Sequence, residues 1–164
     1  MYFQQVNKFL VGRSSPLFSN VYGPFSYQKS SVIAKFFRQV QVGEPITVFG
    51  DGEQTRDFIY VGDLCQGIIK ALEAPLPFGQ AIQLGSGRET SINEMLGLLR
   101  QVVGDRFPPT RYDPPRQGEI LHNYLSISRA EKYLNFSPVT NLQTGLHQTW
   151  GWFQEINRPQ PVTR

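Results

Sequence analysis

Arg56 is the residue around which a chemical reading of this sequence starts. It lies between two short apolar runs, residues 46–49 (ITVF) and 58–61 (FIYV), and a glycine turn at 50–53 (GDGE) precedes it. An arginine fixed there offers a planar fork of paired donors and stays charged at any working pH, which suits an anionic ligand with several oxygens. The competing reading is a plain surface pair between Arg56 and Asp57, which would contribute little. Arg116, in PPRQGE, is the second candidate. Two prolines stiffen its approach and Gly118 lets the backbone turn away, so the side chain is presented from a loop of restricted motion. Its alternative is a solvated loop arginine. Asn20 stands where a strand gives way to a loop, a common location for site residues in α/β folds, although an asparagine there also satisfies turn backbone.

Other residues with chemical potential carry weaker signals. Gly85-Ser86-Gly87 is a lone Gly-x-Gly without the GxxxxGK[ST] of a phosphate loop, and it reads as a strand-to-helix turn. His122 and His147 have no Cys, His or carboxylate cluster at ligand spacing, so no metal site is expected. His147 reads as structural. Tyr2 and Lys8 are too far apart for a Tyr-x-x-x-Lys pair, and no GxxGxxG fingerprint occurs, so no catalytic residue is assigned. The one cysteine, Cys65, excludes an internal disulfide and suits a reducing cytosol; its apolar surroundings predict burial.

The elements that must position Arg56, Arg116 and Asn20 alternate between strand and helix, which indicates an α/β fold. Helical spacing marks residues 1–10, with Gly12 as a stop. A strand at 16–19 leads into the loop NVYGPFSYQ. Residues 29–42 form a helix with Ile33, Phe36, Phe37 and Val40 on one face and Gly43 as its terminator. Strands follow at 46–49 and 58–61, and Asp63 is placed to cap a helix over 64–74 whose inner face is Leu64, Ile68, Ala71 and Leu72. Residues 75–79 form a loop and 81–84 a strand. Ser91 and Glu94 make a capping-box pattern ahead of a helix through Val103. Residues 104–118 read as irregular. Ser128 caps a short helix to Leu134, residues 142–156 make a last amphipathic helix, and the tail at 157–164 reads as disordered.

With 164 residues, 40% of them hydrophobic and 13% aromatic, the chain can bury a core. Its net charge is +3 and its pI about 9.1. The bases are scattered and not interleaved with stacking aromatics, so no nucleic-acid surface is expected. No apolar run reaches membrane-spanning length and the start is too short in apolar residues for a signal peptide, so a cytoplasmic, non-membrane protein is expected.

Taken together, NVYGP at 20–24, GDGEQTRDF at 50–58 and RQGE at 116–119 resemble, in order and spacing, the substrate-side motifs of the NAD-dependent epimerase/dehydratase family, the extended short-chain dehydrogenases. The resemblance covers roughly residues 14–153 and is strongest to UDP-glucose 4-epimerases. It implies the C-terminal, substrate-binding part of a Rossmann-like fold, a small α/β domain plus the last strands and helices of the parallel sheet. On this reading residues 1–19 belong to the Rossmann part, 20–156 bind a nucleotide sugar and 157–164 are a tail. The resemblance places Arg56 and Arg116 on the diphosphate, Asn20 on the substrate phosphate, and Thr47 and Phe49 on the strand whose backbone reads the base. Phe49 is equally a strand residue packing a core. The loop at Tyr22 and Pro24 would flank the nicotinamide. Gln83, Gln117 and Ser126 stand where the family usually has asparagine, proline and aspartate.

In the complete enzyme that the resemblance implies, an isomerase or lyase, NAD accepts and returns a hydride at the sugar C4. The Tyr-x-x-x-Lys pair and dinucleotide fingerprint of that reaction are not in this sequence, so the chain alone is expected to bind no NAD and to be inactive. The expected ligand is a UDP-sugar. The expected partner is an upstream Rossmann half or, without it, a second copy, because the strands at 16–19 and 81–84 would leave an open sheet edge. A non-catalytic nucleotide- or protein-binding module derived from the family is the alternative.

Overall fold

The computed structural model describes residues 15–75 and 81–156. The expected helix at 1–10 and the tail lie outside them, as does most of the 75–79 loop. Strand β1 (Ser15–Phe18) pairs in parallel with β6 (Ala81–Leu84), and β2 (Asn20–Tyr22) pairs in parallel with β5 (Phe58–Tyr60). One extended run thus bonds first to one strand and then to the other. The part expected as loop at 20–22 is strand, because the amide of Asn20 reaches the Asp57 carbonyl at 3.0 Å and carries the ladder on.

A second parallel pair joins β3 (Ile46–Phe49) to β8 (Thr110–Asp113). Residues 110–113 read as irregular in the sequence; TRYD has a half-exposed, polar pattern, and pairing with β3 makes it a strand. The remaining pair, β4 (Thr55–Arg56) with β7 (Thr90–Ser91), is antiparallel and two residues long. It ties the residue before Asp57 to the start of a helix.

Helix α1 (Val32–Val42) buries Ile33, Phe36, Phe37 and Val40, the predicted face. It ends as predicted at Gly43, whose φ of 70° is left-handed, and the Glu44 amide closes back on the Gln39 carbonyl at 3.0 Å. This is the Schellman arrangement that a glycine permits without steric cost. Helix α2 runs from Val61 to Glu73 and starts three residues earlier than predicted. Asp63 does not cap it: the carboxylate sits buried in the first turn and accepts from the Thr140 amide at 2.9 Å. The buried face is Leu64, Gly67 and Ala71, while Leu72, expected inside, is 56% exposed. Cys65 is exposed as well, contrary to the prediction, because it points away from that face.

Helix α3 (Ile92–Val103) is capped by Ser91, whose hydroxyl accepts from the Glu94 amide at 3.0 Å. Helix α4 (Ser128–Leu134) has Ile127 at its N-cap, with no side-chain cap bond, so Ser128 does not cap it; that hydroxyl lies 3.1 Å from the Ser126 hydroxyl instead. Helix α5 (Leu142–Ile156) has the predicted bounds.

Two hydrophobic clusters result among the described residues. The larger gathers α1, α3 and α5 on β3 and is rich in rings: Phe37 stacks on Trp150 at 5.4 Å and touches Phe153 at 5.3 Å. The smaller is mostly aliphatic and lies between α2, α4 and the β1–β6 pair, with Ile59, Leu64, Ile82, Leu84, Leu134 and one ring, Phe136, inside.

Candidate functional site

Arg56 and Asp57 are neighbours on an extended backbone, so their side chains leave on opposite faces. The structure contains no ion pair between them. Arg56 Nη1 donates to the carbonyls of Thr55 and Ile120, both at 2.7 Å, and Nη2 meets Glu119 Oε1 at 3.0 Å. Arg56 therefore latches the 116–121 loop in place, with its guanidinium mostly shielded.

Asp57 faces inward and is 1% exposed. Its Oδ1 accepts from the Ser86 amide at 2.7 Å and the Ser86 hydroxyl at 2.8 Å; Oδ2 accepts from the amides of Gly87 at 3.0 Å and Leu125 at 3.3 Å. The glycine turn at 85–87 thus already holds an anion, the protein's own carboxylate. A Cβ at Gly85 would stand 2.7 Å from Asp57 Oδ2, so this close approach requires glycine. The amides of this turn are not free to cradle the diphosphate of a dinucleotide.

The face of Arg56 opens on a cleft of about 300 Å³. Asn20, Thr47, Phe49, Arg56 and Arg116 all line it, and Lys35 joins them. Residues up to 96 positions apart are brought together because Asn20 opens β2, Thr47 and Phe49 lie on β3, Arg56 closes β4, and the 116–121 loop carries Arg116 to the same cleft. Asn20 serves the backbone as well, donating from Nδ2 to the Asp57 carbonyl at 3.1 Å. The Arg116 guanidinium lies over the Phe49 ring, 3.9 Å from its centre, and the Lys35 ammonium is 5.5 Å from the same ring centre. Burial, then the nearby Arg116 and Arg38, hold the Lys35 ammonium below the usual lysine pKa, with Asp113 pulling the other way. The cleft is a concave surface with a cationic lining, hydroxyl and amide donors, and one carboxylate, Glu119, already bound to Arg56. Such a lining is built to hold a polyanion and to orient it.

Tyr22 and Pro24 stand apart from this lining. Tyr22 is 2% exposed, packed edge-on to Tyr60 at 5.8 Å with its hydroxyl against Gly145 of α5, and burial pushes its pKa far above that of an ordinary phenol. Pro24 is half-buried in the loop that follows β2. His147 is exposed, and His122 Nδ1 lies 3.6 Å from Glu89. Among the described residues no three His, Cys, Asp or Glu side chains gather as a metal site would require, and no helix is long and apolar enough to cross a membrane.

Sequence reasoning did not single out Lys35, Glu119 or the clamp made by Asp57. Lys35 had a signal: it lies one turn after Ser31 at the start of α1, off the apolar face. Glu119 lies three residues after Arg116 in the same loop. Asp57 had none, since its acceptors' partners are amides 29, 30 and 68 residues away.

Comparison with known proteins agrees with this geometry. Residues 14–85 match the NAD dependent epimerase/dehydratase family. Over 143 residues the chain is 36% identical to a putative UDP-glucose 4-epimerase of Methanocaldococcus jannaschii, covering 86% of this chain and 45% of that protein. The structure superposes on a UDP-glucose 4-epimerase of Thermotoga maritima with UDP-glucose at a TM-score of 0.79 and 30% identity, over 93% of this chain and 50% of the other. It superposes on a UDP-glucuronic acid 4-epimerase of Bacillus cereus in complex with UDP-glucuronic acid and NAD at a TM-score of 0.80 and 28% identity, over 87% and 45%. This chain spans about half the length of the relatives it matches. With matching motifs, parallel strand pairs and a cleft that collects them, residues 14–85 carry a match to the NAD dependent epimerase/dehydratase family, within a Rossmann-like α/β segment whose homologues include proteins named UDP-glucose 4-epimerase.

Proposed function

We propose that this chain supplies the nucleotide-sugar-binding wall of a UDP-glucose 4-epimerase-like enzyme. One observation carries the reading: Asn20, Thr47, Phe49, Arg56 and Arg116, distant in sequence, line one cationic cleft. The ligand is a UDP-sugar or related nucleotide sugar. Arg116, stacked on Phe49, and the donors of Arg56 not engaged by the loop meet the diphosphate. The Asn20 amide is set beside them through its bond to the Asp57 carbonyl. The chain's contribution is to bind the nucleotide and orient the sugar, which lowers the entropic barrier to reaction without itself transferring a proton.

Hydride exchange at the sugar C4 is the work of NAD in such an enzyme, and the glycine turn and Tyr22, among the described residues, do not fit NAD. The glycine turn at 85–87 is filled by Asp57, and Tyr22 is sealed in the core. We therefore infer that an upstream Rossmann half holds NAD and the proton-transferring pair. It would dock on the part of the chain that carries the smaller cluster, where Leu17 of β1 and, separately, Ile69 and Leu72 of α2 are exposed. The chain alone, with NAD added, turns over no UDP-glucose; measurable turnover by purified protein would overturn this.

Calorimetric titration with UDP tests the binding role. Arg116→Ala should weaken binding by about 1–3 kcal/mol, the worth of a charge-assisted contact. Arg56→Ala should cost at least as much, because it also releases the latch on the loop that carries Arg116. Unchanged UDP affinity in both variants would overturn the assignment.

A further inference from the structure

The cleft holds one cation that neither the motifs nor the comparisons account for. Lys35 enters from α1, half-buried, and its ammonium makes no hydrogen bond or ion pair among the described residues; it lies over the Phe49 ring. The charges around it do not neutralise it. Arg116, from the loop after β8, shares that ring, Arg38 follows on α1, and Arg56 lines the same cleft from β4. The carboxylates on this side are committed elsewhere: Asp113 of β8 to Arg111 at 3.0 Å, and Glu119 to Arg56 at 3.0 Å. Ser31, one turn before Lys35, also lines the cleft, and its buried hydroxyl has no hydrogen-bond partner among the described residues. Two cations crowded on one ring, with their neighbouring acids taken, repel each other until an anion comes between them.

We propose that Lys35 is a third cationic ligand of this cleft and makes it select a diphosphate over a monophosphate. This deepens the nucleotide-sugar reading and rests on it. Arg56 spends two donor contacts on the loop, at Ile120 and Glu119, and a third on the Thr55 carbonyl, so Arg56 and Arg116 together offer too little free charge for two phosphorus centres. Lys35 supplies the missing charge as a compact point donor that adjusts its reach. The same arrangement couples binding to protonation. In the free protein Lys35 is held below the ordinary lysine pKa by burial, Arg116 and Arg38, with Asp113 opposing. A bound anion raises that pKa, so between the free and bound values binding takes up a proton and affinity falls as pH rises.

The test is calorimetry with UDP, UMP and inorganic pyrophosphate on the wild-type chain and on Lys35→Met, Lys35→Arg and the remote control Lys132→Met. Lys35→Met should lose roughly tenfold in affinity for UDP and pyrophosphate, change little for UMP, and abolish proton uptake at alkaline pH. Lys35→Arg should restore most of the affinity, and Lys132→Met should behave as wild type. An unchanged UDP-to-UMP preference in Lys35→Met, with Arg116→Ala still weakening UDP, overturns the role of Lys35 and leaves the nucleotide reading standing. Pyrophosphate binding that depends on Lys35, with UDP bound no more tightly, does the reverse. If the wild type binds neither ligand, both fail. Should Lys35→Met not fold, wild-type proton uptake in buffers of different ionisation enthalpy decides: its absence overturns the proposal.

Discussion

The two hydrophobic clusters differ in what covers them. The larger closes on itself: Phe36, Phe37, Leu99, Leu146 and Phe153 are all at most 2% exposed, and three helices wrap β3. The smaller cluster is sealed on its inner side by Leu84 and Ala130, yet Leu17 on β1 and Ile69 and Leu72 on α2 stay between 46% and 56% exposed around it. The candidate site is built on the closed cluster, with α1 and β3 as its floor. A ligand cleft needs rigid walls, and interlocked rings provide them. The open cluster is the region that fits a docking role, which agrees with a chain spanning about half of its relatives' length.

The strongest way to break this contrast is inside the closed cluster. Phe37→Ala removes a ring that touches both Trp150 and Phe153, and should cost about 3–5 kcal/mol in urea unfolding, since three helices cannot collapse into the space. A loss below about 1 kcal/mol would show that this cluster is not the rigid one. Asp57→Ala comes next, at about 3 kcal/mol, because it strands the buried amides of Ser86, Gly87 and Leu125 without an acceptor. Asp57→Asn, which keeps one carbonyl oxygen, should cost less; equal losses would mean that the carboxylate's second oxygen is what matters.

The open cluster calls for a different measurement. Leu17→Gln with Leu72→Gln should reduce self-association in sedimentation and leave unfolding within roughly 0.5 kcal/mol of wild type, as expected of exposed positions. A wild-type chain that sediments as a compact, heat-resistant monomer would remove the docking role. The smallest effect is at Tyr22. Its buried hydroxyl has no hydrogen-bond partner among the described residues, so Tyr22→Phe should be neutral or stabilising, by less than about 1 kcal/mol. Burial raises the Tyr22 pKa, so the folded state keeps the phenol proton where the unfolded chain, with a pKa of 10.0, loses it. Stability from this group is complete below pH 10.0 and declines as pH rises above it, and Tyr22→Phe should blunt that alkaline decline.

The contrast also sorts what was legible in the sequence. The long helices α1, α3 and α5 were readable because each presents several apolar residues at helical spacing, and two of them carry local end signals in Gly43 and Ser91. Strands β2, β4, β7 and β8 were not, since two to four residues of mixed polarity carry no period of their own. Cys65 and Leu72 were misread for a related reason. Leu72 was counted toward the face of Leu64, Ile68 and Ala71, and Cys65 was taken as buried from its apolar neighbours, while the packing of Gly67 against Leu84 and Phe136 rotates the helix and leaves Leu72 outside.

The sequence by itself determined the residue types of the site and their order: two arginines, an asparagine and a strand threonine and phenylalanine, in motifs whose spacing carries the family. Those are local properties, fixed by a few neighbours each. The tertiary structure decided everything that depends on distant backbone. It turned Asp57 away from Arg56 to occupy the glycine turn, gave Arg56 to the loop through Glu119 and Ile120, buried Tyr22, and set Lys35 beside Arg116 on one ring. The physical reason is that a hydrogen-bonded amide or a stacked ring is indifferent to sequence separation, so such partners are chosen only when strands pair and helices pack.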